Sequence, residues 1–171
     1  MVLDKLKQIK LLLLDVDGVL TDGGIIYNDN NVETKVFNVK DGLGIKLLMK
    51  AGINAAIVTG RTSKTLYHRC NNLGIDRIFD GVDNKASVLN RILEKADLTP
   101  EKIAFIGDDL PDIPLFKKVG LSIAVADAPE AVRENADMVT SAEGGKGAVR
   151  EVCEAILKAK GLWEQILESF L

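Results

Sequence analysis

The sequence predicts a doubly wound α/β fold built on a mainly parallel sheet. Two observations carry that expectation. Short apolar runs ending in Asp or Gly alternate along the chain with amphipathic stretches bearing helix caps, the pattern of a parallel sheet covered on both faces. No internal repeat, low-complexity tract or Pro/Gly/Ser-rich linker interrupts this alternation, so residues 1–171 read as one domain.

Each element has its own signal. Ile9–Leu14, Ala55–Val58, Ile78–Phe79, Ile103–Ile106, Ile123–Val125 and Met138–Val139 read as short buried strands. Between them, Gly42–Ala51 follows Asp41 as an N-cap, Ser63–Leu73 stops at Gly74, and Lys85–Ala96 follows Asn84. Asp112–Val119 stops at Gly120, and Pro129–Asn135 opens with proline where a helix tolerates it. Two segments break the alternation. Residues 24–39 hold two β-like runs, Ile25–Tyr27 and Val32–Val39, around the turn-rich Asn28-Asp29-Asn30-Asn31, which reads as an inserted β-hairpin. Residues 144–171 form a tail that opens with Gly144-Gly145-Lys146-Gly147. A helix with Val149, Val152, Cys153, Ile156 and Leu157 on one side follows, and then Leu162, Trp163, Ile166, Leu167 and Phe170. So apolar a tail must be covered, by its own domain or by a neighbour.

Composition removes whole classes of function. With 47% apolar and 27% charged residues the chain is globular rather than disordered. A net charge of −3 gives no basic footprint for nucleic acid. The longest continuous apolar run, Leu11–Leu14, is too short to cross a bilayer, and Met1–Lys10 lacks the apolar stretch of a secretory signal. The two cysteines, Cys70 and Cys153, have no ligand or redox spacing and read as core thiols of a reducing compartment, which places the chain in the cytoplasm. His68 has no evident partner and reads as structural.

The chemistry sits at the ends of the strands. In open α/β sheets ligands bind beyond the carboxyl ends. Here those ends carry Asp15-Val16-Asp17-Gly18, Thr59-Gly60-Arg61 and Gly107-Asp108-Asp109-Leu110-Pro111-Asp112, with Lys85 opening a helix nearby. So many carboxylates on one edge repel each other unless a cation neutralises them, and oxygen ligands without His or Cys point to Mg²⁺. Thr59, Lys85 and backbone N–H groups near Gly18 are placed to hold phosphoryl oxygens. One carboxylate can then attack phosphorus while another, two residues away, moves the proton. Spacing alone leaves open which of Asp15 and Asp17 attacks. Each motif singly has a bland reading as a turn, a helix cap or a solvated lysine; their joint order does not.

Taken together, Asp15-Val16-Asp17-Gly18-Val19-Leu20-Thr21, Val58-Thr59-Gly60-Arg61, Lys85 and Gly107-Asp108-Asp109-Leu110-Pro111-Asp112 resemble the motifs of the haloacid dehalogenase superfamily. The resemblance implies Asp15 as nucleophile, Asp17 as general acid/base, Thr59 and Lys85 as phosphoryl binders, and Asp15, the Asp17 carbonyl and Asp108 as Mg²⁺ ligands. It leaves Asp109 and Asp112 to meet the metal through water or to orient Lys85. Neither interval between motifs has room for the separate cap domain that many members carry. The Asp-Val-Asp-Gly-Val-Leu-Thr-Asp-Gly run, the hairpin, Lys40-Asp41-Gly42-Leu43-Gly44 and Gly144-Gly145-Lys146-Gly147-Ala148-Val149-Arg150-Glu151 further resemble the capless 3-deoxy-D-manno-octulosonate 8-phosphate phosphatases. That likeness implies hydrolysis of a sugar-acid phosphate through an aspartyl phosphate, in lipopolysaccharide precursor synthesis. It also implies a homotetramer in which a tail covers a neighbouring site.

Substrate contacts are then expected from Gly60, Arg61, whose guanidinium suits a sugar-acid carboxylate, and Thr65, four residues on and on the same helical face. Lys146 and Arg150 are candidates from the tail. Two alternatives stand beside this reading: a phosphatase for a nine-carbon, sialic-acid-type 9-phosphate, and a non-catalytic oligomerisation module. The complete set Asp15, Asp17, Thr59, Lys85 and Asp108 weighs against the second.

Overall fold

The computed structural model describes residues 1–171. In chain order its elements are α1 (Val2–Gln8), β1 (Leu11–Leu14), β2 (Ile26–Tyr27), β3 (Glu33–Thr34), α2 (Val39–Lys50), β4 (Asn54–Val58), α3 (Lys64–Leu73) and β5 (Ile78–Phe79). They continue as α4 (Leu89–Ala96), β6 (Ile103–Gly107), α5 (Ile113–Phe116), β7 (Leu121–Ala124), α6 (Glu130–Arg133), β8 (Met138–Val139), α7 (Ala148–Ala159) and α8 (Trp163–Glu168).

One six-stranded sheet runs in the order β5-β4-β1-β6-β7-β8, with every pairing parallel. β1 is central, and the chain leaves it first toward β4 and later returns to its other side as β6. That reversal opens a crevice above β1. Right-handed crossovers place α2 and α3 on one face and α4, α5 and α6 on the other. α7 returns to pack on α2, and α1 and α8 lie against α7. Leu11, Leu12, Leu13 and Leu14 are fully buried because a central parallel strand meets helices on both sides. They join a single cluster of 43 buried apolar residues. At roughly 1.5–3 kcal/mol per buried leucine, this strand is a rigid base for whatever follows it.

Several boundaries differ from the sequence expectation, each for a local reason. α2 begins at Val39 because Asn38, not Asp41, is its N-cap: the Asn38 side chain accepts the Lys40 N–H at 2.8 Å. Asp41 lies inside the helix, buried, and accepts the Arg150 N–H at 2.8 Å. The hairpin strands are shorter than expected, and the second run ends before Val39. Lys85–Ala96 is a 3-10 turn over Lys85–Val88 followed by α4. Asp112–Val119 contracts to α5 behind a 3-10 turn over Leu110–Asp112, where Pro111 and Pro114 restrict the backbone. α1 has no counterpart in the sequence reading. It lacks a side-chain N-cap bond and buries Leu6 alone, so it depends on α7 rather than on local signals.

Outside the sheet, β2 and β3 form a two-stranded antiparallel hairpin whose outer face is apolar. On that face Ile26, Val32 and Val36 are all more than half exposed, Val36 at 65%.

Candidate active site

β1, β4 and β6 deliver their next residues, Asp15, Thr59 and Asp108, to a common crevice of about 430 Å³. Its walls also include Asp17, Gly60, Arg61, Lys85, Asp109 and Asp112. Most of the lining residues are polar or charged, which suits an anionic, hydroxylated ligand.

Asp15 is buried. Its Oδ1 accepts the Val16 N–H at 2.7 Å, and its Oδ2 meets the Lys85 ammonium at 2.6 Å. Lys85 reaches it from the first position of its 3-10 turn, which Asn84 caps by accepting the Ala86 N–H at 3.1 Å. The same ammonium touches Asp112 Oδ1 at 2.6 Å. Asp112 Oδ2 is held in turn by the N–H groups of Asp108 at 2.8 Å and Asp109 at 3.2 Å. Asp112 therefore orients Lys85 and the loop behind Asp108, with both oxygens engaged. Asp109 caps the separate 3-10 turn over Leu110–Asp112 by accepting the Leu110 N–H at 2.8 Å.

Electrostatics mark this cluster as crowded with negative charge. Burial raises the Asp15 carboxyl to about 6, against the pull of Lys85. Burial and then the carboxylates of Asp15 and Asp112 raise Asp108 to about 8. Burial lowers the Lys85 ammonium, but Asp15 and Asp112 more than offset this and hold it charged. Carboxylate oxygens of Asp15, Asp108 and Asp112 all lie within 4.8 Å of one another. These three carboxylates are close enough to share one cation, although Asp15 and Asp112 also serve Lys85 and backbone N–H groups. An all-oxygen donor set whose protonation is favoured by crowding fits a hard divalent ion, which would relieve that repulsion.

Two glycine positions make the crowding sterically possible. Gly18 has φ +85°, and a Cβ there would fall inside the Asp108 carboxylate. A Cβ on Gly144 would strike the Gly18 carbonyl, so the start of the tail lies directly against the Asp17–Gly18 turn. The neighbouring Gly145 N–H ties it down by donating to the Val19 carbonyl at 2.9 Å.

Asp17 stands on the opposite wall. Its Oδ1 is bonded to the Lys35 ammonium, and its Oδ2 lies 3.6 Å from Arg61 Nε and has no hydrogen-bond partner. Glu33 meets Lys35 at 2.8 Å through Oε1 and Arg61 at 2.6 Å through Oε2. Burial depresses the Lys35 ammonium, but its bonds to Asp17 and Glu33 more than offset this and raise it. Glu33 and Lys35 escaped the sequence reading. The available signal was their i, i+2 spacing in a strand, which puts both on one face, opposite Val32 and Val36.

Three expected contacts are not in this crevice. Arg61 precedes Ser63, the N-cap of α3, so it shares no helical face with Thr65, and Thr65 does not line the walls. Lys146 pairs with Glu143 at 2.6 Å on the surface, and Arg150 Nε pairs with Glu154 at 2.7 Å. Within one chain neither reaches the site.

Comparison with known proteins gives this geometry a lineage. Residues 77–152 match the haloacid dehalogenase-like hydrolase family. The 3-deoxy-D-manno-octulosonate 8-phosphate phosphatase of Escherichia coli K12 is 49% identical over 160 residues, covering 94% of this chain and 85% of that protein. The enzyme of that name from Moraxella catarrhalis, solved with a magnesium ion, a phosphate ion and a KDO molecule, superposes with a TM-score of 0.97 at 44% identity, over 99% of this chain and 98% of that one. A cobalt-bound relative from Haemophilus influenzae gives a TM-score of 0.90 at 46% identity, over 93% of each chain. With identity at this level across nearly its whole length, and with the strand-end acids meeting as they do, the chain belongs to the family of 3-deoxy-D-manno-octulosonate 8-phosphate phosphatases within the haloacid dehalogenase-like hydrolases.

Proposed function

We propose that the protein is a Mg²⁺-dependent phosphatase that releases phosphate from 3-deoxy-D-manno-octulosonate 8-phosphate through an aspartyl phosphate. The observation that carries the reading is the meeting of Asp15, Asp108 and Lys85 at the carboxyl end of β1 and β6. Asp15, Asp108 and the Asp17 carbonyl would hold the magnesium ion, which when bound offsets phosphoryl charge and so lets a carboxylate approach phosphorus.

The remaining chemistry belongs to the protein. Asp15 attacks phosphorus, the ester P–O bond breaks, and its electron pair leaves on the sugar oxygen, which takes a proton from Asp17. Water then attacks phosphorus and gives its proton to Asp17, and the bond to Asp15 breaks, restoring the Asp15 carboxylate and the protonated Asp17. Lys85, fixed by Asp112, and Thr59, buried at the end of β4, bind the phosphoryl oxygens. Arg61 is 39% exposed in the crevice and binds the sugar-acid carboxylate, with Gly60 beside it.

The crevice is open above, and an exposed phosphoenzyme needs a cover. The apolar outer face of the hairpin and the exposed end of the tail, with Phe170 at 65%, support a homotetramer in which hairpins pack together and a tail reaches a neighbouring site. Lys146 and Arg150 then act on the neighbour's substrate. The free, buried thiols Cys70 and Cys153 fit a reducing cytoplasm, and no helix is long and apolar enough to cross a membrane.

The test is phosphate release from a panel of sugar-acid and simple sugar phosphates, with Mg²⁺ or EDTA. The eight-carbon sugar-acid phosphate should give the highest kcat/KM, and EDTA should silence it. A preference for a nine-carbon acid, or turnover without metal, would refute the reading.

A further inference from the structure

The hairpin is inverted relative to an ordinary surface hairpin. Ile26, Val32 and Val36 face outward, while Glu33 and Lys35, on the other face of β3 and its extension and beside Tyr27, turn toward the crevice. The Lys35 side chain is only 3% exposed. A buried ammonium is costly unless paired, and this one has two carboxylate partners, Asp17 and Glu33. The pairing closes a ring of two cations and two anions: Asp17, Lys35, Glu33 and Arg61. The charges balance within that ring.

What matters for the reaction is how the ring divides the two oxygens of Asp17. Lys35 occupies Oδ1. Oδ2 is buried, lacks any hydrogen-bond partner, and has only the Arg61 Nε nearby, at 3.6 Å. A carboxylate on a short side chain rotates freely unless one oxygen is held. Here one oxygen is held from another element, 18 positions further along the chain. We propose that Lys35 is the positioning residue of the proton-transferring carboxylate: by holding Asp17 Oδ1 it leaves Oδ2 as the oxygen that meets the leaving group. Glu33 anchors Lys35 from behind and links it to Arg61, so the hairpin is part of the catalytic apparatus as well as an assembly surface. This inference rests on the role assigned to Asp17 above.

Leaving-group dependence tests it. A sugar alkoxide must be protonated as it departs, whereas p-nitrophenolate leaves without help, and kcat/KM reports on events up to departure of the leaving group. General acid catalysis contributes about 10²–10⁴-fold, so loss of positioning alone should cost about ten- to a hundredfold. Lys35→Met keeps the length of the side chain and removes its charge. Its kcat/KM on the sugar-acid phosphate should fall by that factor, with a far smaller fall on p-nitrophenyl phosphate. Glu33→Gln, which keeps Lys35 but weakens its second anchor, should show the same selectivity to a lesser degree. Lys35 lies outside the apolar core, and light scattering and melting curves verify assembly and fold.

Equal losses on both substrates, or no loss on either, would overturn the proposal. Asp17→Asn separates this failure from failure of the functional reading. If Asp17→Asn is selective for the alkyl ester and Lys35→Met is not, the role of Lys35 falls while that of Asp17 stands. If Asp17→Asn is itself unselective, both fall.

Discussion

Replacing Asp108 by Asn should make the metal-free protein more stable while abolishing its stabilisation by Mg²⁺. Without a cation, burial and the neighbouring carboxylates raise Asp108 from the ordinary 3.8 to about 8. A folded-state value above the unfolded one means that the folded protein binds more protons, so stability is complete below about pH 4 and is lost as pH rises toward about 8. Each unit carries about 1.4 kcal/mol, which sets a ceiling on the order of 4 kcal/mol at about pH 7. The crevice is open to solvent, and screening reduces the expected gain to about 1–2 kcal/mol. Asparagine removes the titration at nearly constant volume. For a chain of this length the variant should melt about 2–8 °C higher than wild type in EDTA at about pH 7–8, with the difference shrinking toward about pH 4. Wild type should gain about 2.7 kcal/mol from Mg²⁺ at a hundredfold excess over its Kd, and the variant should gain almost nothing. Scanning calorimetry with EDTA and with Mg²⁺, at both ends of the pH range, reads all of these. A variant that melts below wild type in EDTA near pH 8, or that keeps the full Mg²⁺ increment, would refute the reasoning.

Other perturbations probe the supports of the site. Asp41→Ala removes the carboxylate that accepts the Arg150 N–H, at the start of a helix whose N-cap, Gly147, has no side chain to do so. It should cost about 1–2 kcal/mol in urea denaturation, and unchanged stability would contradict the assignment. Gly18→Ala forces a Cβ into the Asp108 carboxylate at φ +85°. Activity should fall about a hundredfold or more, since a displaced carboxylate loses its alignment, while the left-handed φ costs about 1 kcal/mol or more of stability without unfolding the separate apolar core. Full activity would show that Asp108 can move without consequence.

How far the sequence could be read depended on where the determining contacts lie. β1, β4, β6 and β7 were legible because strands buried on both faces are continuous apolar runs, whereas their order in the sheet emerges only from the structure. Asp15, Thr59 and Asp108 were legible as neighbours because each directly follows such a strand. Asp112 could be narrowed only in three dimensions, where Lys85 and two N–H groups take both of its oxygens. α1 was illegible because its stability comes from α7, far along the chain. Glu33 and Lys35 were hidden by a hairpin that turns its charged face inward, against the usual expectation that charge faces water. Thr65 was misplaced by assuming that the helix already included Arg61, when Ser63 begins it. Lys146 and Arg150 have partners on their own surface, Glu143 and Glu154, that no spacing rule weighs against a distant site.

The central claim is that phosphorus becomes bonded to Asp15. Enzyme quenched during turnover of the sugar-acid phosphate with Mg²⁺ can be treated with borohydride, which reduces an acyl phosphate to an alcohol and so converts the phosphorylated aspartate into homoserine. Peptide mass spectrometry should find homoserine at position 15, only when substrate and metal are both present, and not in the Asp108→Asn variant. Homoserine at position 17 in its place, or an unaltered position 15 in samples that are releasing phosphate, would contradict the claim.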